Sequence, residues 1–102
     1  MASWYDKAVF YHIYPLGMLG APFVNTEDAA ADRFPELDKW VAHMEALGCT
    51  ALYIGPLFES SSHGYDTRDY RLVDRRLGTN EGFRHFTRLC HEAGIRVVVD
   101  GV

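Results

Sequence analysis

A cassette that occurs twice limits the folds open to this chain more than any other feature. Glu45–Gly48 (EALG) leads into the apolar stretch Ala51–Ile54 and Gly55; Glu92–Gly94 (EAG) leads into Val97–Val99, Asp100 and Gly101. Each copy reads as a helix end, a glycine stop, a short link, a buried strand and a second glycine. Both strands are apolar at consecutive positions rather than at alternate ones, the pattern of parallel strands covered on both faces. A chain built this way belongs to the α/β class.

The other elements follow from their own signals. Ala8–Tyr14 mixes aromatic and β-branched residues and stops at Pro15, which predicts a first strand. Residues 16–33 carry Gly17, Gly20, Pro22 and the Asn25-Thr26 pair and read as a long loop. Pro35 suits the first turn of a helix, where its missing N–H is harmless. Leu37, Trp40, Val41, Met44 and Leu47 then recur at helical spacing as one inward stripe, ended by Gly48. The apolar run Ala51–Phe58 reads as buried, with the second strand proper over Ala51–Ile54. Asn80 is placed to cap a second helix, with Glu81 in its first turn and Phe83, Phe86, Leu89, Cys90 and Ala93 facing inward. Gly94 closes that helix, and Arg96–Asp100 predicts a third strand. The order is β-α-β-α-β, with short links before strands and long loops after them, so the loops after the strands form the working face.

Composition excludes several roles. The 102 residues allow at most one domain, and a net charge of −4 with no basic cluster argues against nucleic acid or an anionic membrane as partner. No apolar run approaches the ~18 residues of a membrane helix. The start has no signal-peptide layout, so a cytoplasmic location is expected. Cys49 and Cys90 lack Cys-x-x-Cys spacing and read as buried, reduced thiols. No Gly-x-Gly-x-x-Gly or phosphate loop follows any strand.

The chemistry gathers in His63–Tyr70 (HGYDTRDY), which holds two phenols, two carboxylates, a guanidinium and an imidazole within eight residues. A sugar needs such a mixture: a flat ring to stack on, with fixed donors and acceptors for its hydroxyls. The competing reading is a charged surface loop in which Asp66 merely caps a turn. Its position after a parallel strand favours the ligand site. His12, inside an apolar strand, reads as a core histidine. His43, His85 and His91 lie on or near helices and suggest no metal, and no metal motif has the spacing of His63, Asp66 and Asp69.

Four blocks also resemble the N-terminal part of the catalytic barrel of the α-amylase family of glycoside hydrolases and transglycosylases. Val9–Pro15 (VFYHIYP) resembles the family's first strand and Gly48–Pro56 (GCTALYIGP) its second. His63–Tyr70 resembles the loop carrying its subsite tyrosine. Arg96–Val102 (RVVVDGV) resembles the start of its first conserved region, Asp-x-x-x-Asn-His. The resemblance implies that Tyr65 stacks under the sugar at the cleavage subsite, that His63 accompanies it and that Asp66 contacts sugar hydroxyls. It further implies that Asp100 organises the subsite and that Asp69 and Tyr70 are structural. Leu16-Gly17-Met18 departs from the family's usual sequence after strand one, which leaves the subfamily open.

On this reading the fold is the N-terminal β-α-β-α-β portion of a TIM (β/α)8 barrel. Residues 1–102 form one partial catalytic domain, cut at its C-terminus. The partner is an α-linked glucose oligosaccharide or polysaccharide. No cofactor is expected, with calcium an option in a full-length family member. Retaining glycosidases use two carboxyl groups about 5–5.5 Å apart, and this stretch offers no such pair. The nucleophile and acid/base are expected beyond Val102, and the 102 residues alone should be inactive and poorly stable, with open strand edges. A small α/β binding module and a non-enzymatic scaffold of the same fold are the alternatives.

Overall fold

The computed structural model describes residues 8–100, so Met1–Lys7, Gly101 and Val102 lie outside it. Its elements are β1 (Phe10–Ile13), α1 (Pro15–Met18), a 3-10 turn (Glu27–Ala29), α2 (Phe34–Ala46), β2 (Ala51–Ile54), β3 (Phe58–Ser60), β4 (Thr67–Val73), α3 (Asn80–Glu92) and β5 (Arg96–Val99). Strands β1, β2 and β5 form a parallel three-stranded sheet with β2 in the centre. β1 and β5 are its outer strands among the described residues.

Alternation along each strand sorts the side chains onto two faces. Ile13, Leu52 and Ile54 join the core under the helices, and Tyr11, Val97 and Val99 pack against it. Helix α2 contributes Phe34, Leu37, Val41 and Met44, and α3 contributes Phe86 and Cys90. Leu47, expected in the inward stripe of α2, is instead the residue capping the helix C-terminus and is 56% exposed. Gly48 and Gly94 follow the two long helices with φ of +78° and +77°, the stops that the repeated cassette predicts.

Among the described residues no helix covers the opposite sheet face, which carries Phe10, His12 and Tyr53. On that face the His12 ring lies 5.1 Å from that of Tyr53.

Three further expectations change. The first loop is not wholly irregular, since α1 and the 3-10 turn lie within it. The apolar run Ala51–Phe58 is two strands rather than one: β2 stops at Ile54, and β3 opens an antiparallel hairpin with β4. That hairpin absorbs Thr67–Tyr70, the second half of the loop singled out for its chemistry. Helix α3 is capped by Thr79, whose Oγ1 accepts the Gly82 N–H at 3.0 Å. Asn80 is the first helical residue, and its amide ties the hairpin instead: Oδ1 accepts from Val73 N at 2.8 Å, and Nδ2 donates to Arg71 O at 2.9 Å.

Both cysteines are free, Cys90 buried and Cys49 half-buried. Burial, helped by the charge of Asp38, pushes the Cys90 thiol up to about 11, so almost none of it is the reactive thiolate near neutrality. In the native protein at pH 8, an aromatic disulfide reagent is expected to label Cys49 first and reach Cys90 only on unfolding. Equal labelling rates would contradict the packing.

Candidate sugar-binding site

The register of the sheet builds the site. Ile13, Ile54 and Val99 lie in one row across β1, β2 and β5, so the residues that follow them, Tyr14, Gly55 and Asp100, form the next row at the C-terminal ends. The ladder continues into that row, with Gly55 N donating to Ile13 O at 3.2 Å and Asp100 N to Ile54 O at 3.0 Å. The Asp100 carboxylate is thereby fixed at the top of the uncovered face.

The His63–Asp66 loop folds onto the row at two points. The Tyr14 hydroxyl donates to His63 O at 2.8 Å, and the Tyr65 hydroxyl donates to Asp100 Oδ2 at 2.8 Å. The hydrogen bond to Asp100, then desolvation and the nearby negative charge, raises the Tyr65 phenol above its usual range, so it stays protonated and donating. Tyr65 as a whole is 51% exposed. A ring whose hydroxyl is tethered while its body faces solvent is suited to stacking on an apolar sugar face.

The loop is shaped by Asp66. Its Oδ2 accepts from Ser62 Oγ at 2.6 Å, and its Oδ1 accepts from Ser62 N at 3.2 Å and Gly64 N at 3.3 Å. The Ser62 hydroxyl foremost, with these backbone donors, holds the carboxyl down at about 2 from the ordinary 3.8. Asp66 is thus the turn-forming acid of the competing reading, although its side chain keeps 31% exposure. His63 Nδ1 accepts the Tyr65 N–H at 3.1 Å, which leaves the ring proton on Nε2. Gly64 meets the loop at φ +105°, a conformation that side chains rarely adopt.

Because the folded Asp66 carboxyl lies below its unfolded value, its contribution is complete above pH 3.8 and is lost as pH falls through about 2. The Tyr65 and Gly64 amide resonances are expected to hold their positions at pH 4, then shift as Asp66 protonates. Asp66 titrating near 4 would contradict the geometry.

Of the four residues nominated from sequence, Tyr65 and Asp100 are brought into contact, and His63 and Asp66 set the loop that carries Tyr65. Tyr14 and Tyr53 escaped the sequence reading. Their signal was the period-two relation among Tyr14, His12 and Phe10 and between Tyr53 and Gly55, which places them on the uncovered face. Among the described residues there is no group of three or more metal-ligating side chains.

A second cluster supports the site from behind. Asp74 and Arg76 are both fully buried. Arg76 Nε and one terminal nitrogen clasp the Asp74 carboxylate at 2.9 Å each. The remaining donors reach Pro22 O at 2.8 Å, Phe23 O at 2.9 Å and Ser60 Oγ at 3.0 Å. All five guanidinium protons are used. Beside this pair, Asn25 Nδ2 donates to Glu59 Oε1 and Ser60 O at 2.7 Å each, locking the first loop to the hairpin.

A parallel βα sheet with polar and aromatic side chains gathered at the C-terminal ends of its strands is the arrangement in which α/β folds place their ligand sites. The family model for the alpha amylase catalytic domain matches residues 36–102. The oligo-1,6-glucosidase of Heyndrickxia coagulans is 36% identical over 103 residues, covering 98% of this chain and 18% of the relative. Neopullulanase 2 of Thermoactinomyces vulgaris is 34% identical over 116 residues, covering 98% of this chain and 20% of the relative. Among solved structures, a MutB variant in complex with the substrate sucrose superposes with a TM-score of 0.79 at 34% identity, over 100% of this chain and 18% of that one. The cyclic alpha-maltosyl-(1→6)-maltose hydrolase from Arthrobacter globiformis superposes with a TM-score of 0.75 at 32% identity, over 95% of this chain and 25% of that one. The chain belongs to the α-amylase family, and its fold is the N-terminal portion of that family's TIM barrel. It spans about a fifth of the length of the curated relatives it matches.

Proposed function

We propose that the protein carrying this chain is a retaining glycoside hydrolase or transglycosylase acting on α-glucosidic bonds of starch-like glucans or maltooligosaccharides. The observation that carries this reading is the Tyr65–Asp100 hydrogen bond of 2.8 Å, which aims a half-exposed phenol ring over the C-terminal end of the sheet. The names of the relatives, an oligo-1,6-glucosidase and a neopullulanase, point to the same substrate class. Tyr65 covers the apolar face of one glucosyl unit, Asp100 orders the floor of the subsite, and the free edges of His63 and Asp66 meet hydroxyls at the rim. Holding the sugar flat restricts it to geometries near attack, which is where much of an enzyme's rate advantage originates. The nucleophile and the acid/base, about 5–5.5 Å apart in a retaining enzyme, come from parts of the parent protein outside these residues, so the 102 residues alone are inactive. The reaction uses no cofactor, with calcium an option in the full-length protein, and it takes place in the cytoplasm.

The test is release of reducing sugar by the full-length protein from maltotriose and maltohexaose. Tyr65→Ala is expected to lower kcat/KM about 10- to 100-fold, the range for losing one positioning contact. A full-length protein that leaves both sugars intact overturns the reading.

A further inference from the structure

The hydrogen bond from Tyr14 to His63 is one end of a chain of contacts that crosses the top of the sheet. Tyr14 directly follows β1 and donates its hydroxyl to His63 O at 2.8 Å. The His63 ring turns back, and its Nδ1 accepts the Tyr65 N–H at 3.1 Å. Tyr65 in turn donates its hydroxyl to Oδ2 of Asp100, which directly follows β5, at 2.8 Å. Tyr65 is thus held at its backbone from the β1 side and at its hydroxyl from the β5 side. Two glycines make room for these contacts. A side-chain carbon built on Gly17 would lie 2.8 Å from Tyr14 Cδ2 and 3.0 Å from Cε2, so the Tyr14 ring takes the space that a side chain there would need. One built on Gly64 would run into Pro56 Cγ and lie 3.3 Å from Leu16 Cδ1. The loop backbone beside His63 therefore rests on residues that follow β1 and β2.

We infer that Tyr14 is a positioning residue for Tyr65, its hydroxyl fixing the His63 carbonyl and with it the loop that sets the Tyr65 ring beside Asp100. Without that bond the loop keeps its internal turn, because Asp66 still accepts from Ser62 and Gly64. What it loses is the hydrogen bond to the end of β1. The turn can then pivot as a unit about the Tyr65–Asp100 contact, and a ring that pivots spends less time in the orientation a sugar requires. Gly17 serves the same end, since it leaves the Tyr14 ring where the hydroxyl reaches His63. The inference rests on the reading of Asp100 and Tyr65 as the sugar subsite.

The test is made in the full-length protein. Tyr14→Phe keeps the ring beside Gly17 and removes only the hydroxyl. It is expected to lower kcat/KM on maltotriose about 3- to 10-fold, the scale of one neutral hydrogen bond. In a Tyr65→Ala background the same substitution should change kcat/KM less than about twofold, because a residue acting through Tyr65 has no ring left to position. A drop of equal size in both backgrounds overturns the inference, and so does a Tyr14→Phe enzyme as active as the wild type. Amide hydrogen exchange gives a second readout that needs no sugar. In Tyr14→Phe the amides of residues 63–66 should exchange faster by a similar factor, while those of α3 keep their wild-type rates. An unchanged loop overturns the inference, and equal acceleration in α3 does so too, because it marks a general loss of stability. Inactivity of the wild type on α-glucosides would overturn the functional reading instead, since exchange reports the contact whether or not the protein turns over.

Discussion

Replacing Arg76 with methionine is expected to destabilise the protein by about 3–5 kcal/mol, the range seen when one partner of a buried ion pair is removed. The reason lies in what is left behind. Asp74 is fully buried and its carboxylate oxygens accept from Arg76 and Ser60. Without the guanidinium it keeps a buried charge with too few donors, and Pro22 O and Phe23 O lose their shared partner as well. The first loop should then detach from the hairpin whose turn carries Tyr65. Changing Asp74 to asparagine in the same protein should recover part of the loss by removing the stranded charge. Equilibrium urea unfolding of the wild type and the two variants measures this, and an Arg76→Met change under about 1 kcal/mol would mean the pair is not buried as described.

The same pair gives stability a pH dependence whose sign is fixed. Burial alone would raise the Asp74 carboxyl, but its hydrogen bonds to Arg76 and the Arg76 charge outweigh burial and hold it below the ordinary 3.8. A depressed carboxyl contributes stability above its unfolded value and loses it as pH falls through the folded one. The wild type should therefore lose stability below about pH 3.8. Arg76→Met should show much less of that loss, having forfeited it already at neutral pH.

Gly55→Ala is expected to lower kcat/KM about 100-fold or more and to cost about 1–3 kcal/mol of stability. The stability figure is the usual range for forcing a methyl into a packed interior; the rate figure follows from a displacement of about 1 Å at a positioning group. Gly55 is buried, and its added carbon would meet the Asp100 side chain and backbone rather than the yielding end of a flexible side chain. Relief requires β2 and β5 to part at their C-terminal ends or Asp100 to turn away, and either movement breaks the Tyr65–Asp100 bond of 2.8 Å. Activity within threefold of wild type would show that Asp100 tolerates displacement and does not order the subsite.

Much of the scaffold was legible from local signals. Helices over 34–46 and 80–92 and the strand over 51–54 fall where hydrophobic period and glycine stops put them, because period and capping are short-range properties. Asp100 was legible as the acid that closes a parallel strand, whereas Tyr65 was not placed by that rule, because an antiparallel hairpin carries it. The hairpin of β3 and β4 was not legible, since its polar, irregular register carries no clean alternation. Thr79 and Asn80 are both competent caps, and only the backbone of Val73 and Arg71, drawing Asn80 away, chooses between them.

What the sequence determined by itself, then, is the cadence of elements, the parallel character of the sheet and the loop that holds the chemistry. Tertiary structure alone decided which side chains meet. A tyrosine before Pro15, a glycine after Ile54 and an acid after Val99 become one row only when three strands lie in register. Arg76 can be buried only because carbonyls more than fifty residues earlier arrive to receive its protons. His12 and Tyr53 bring their rings within 5.1 Å only because β1 and β2 pair in register. Period and propensity act over a few residues, whereas register, burial and charge compensation arise from contacts between distant ones.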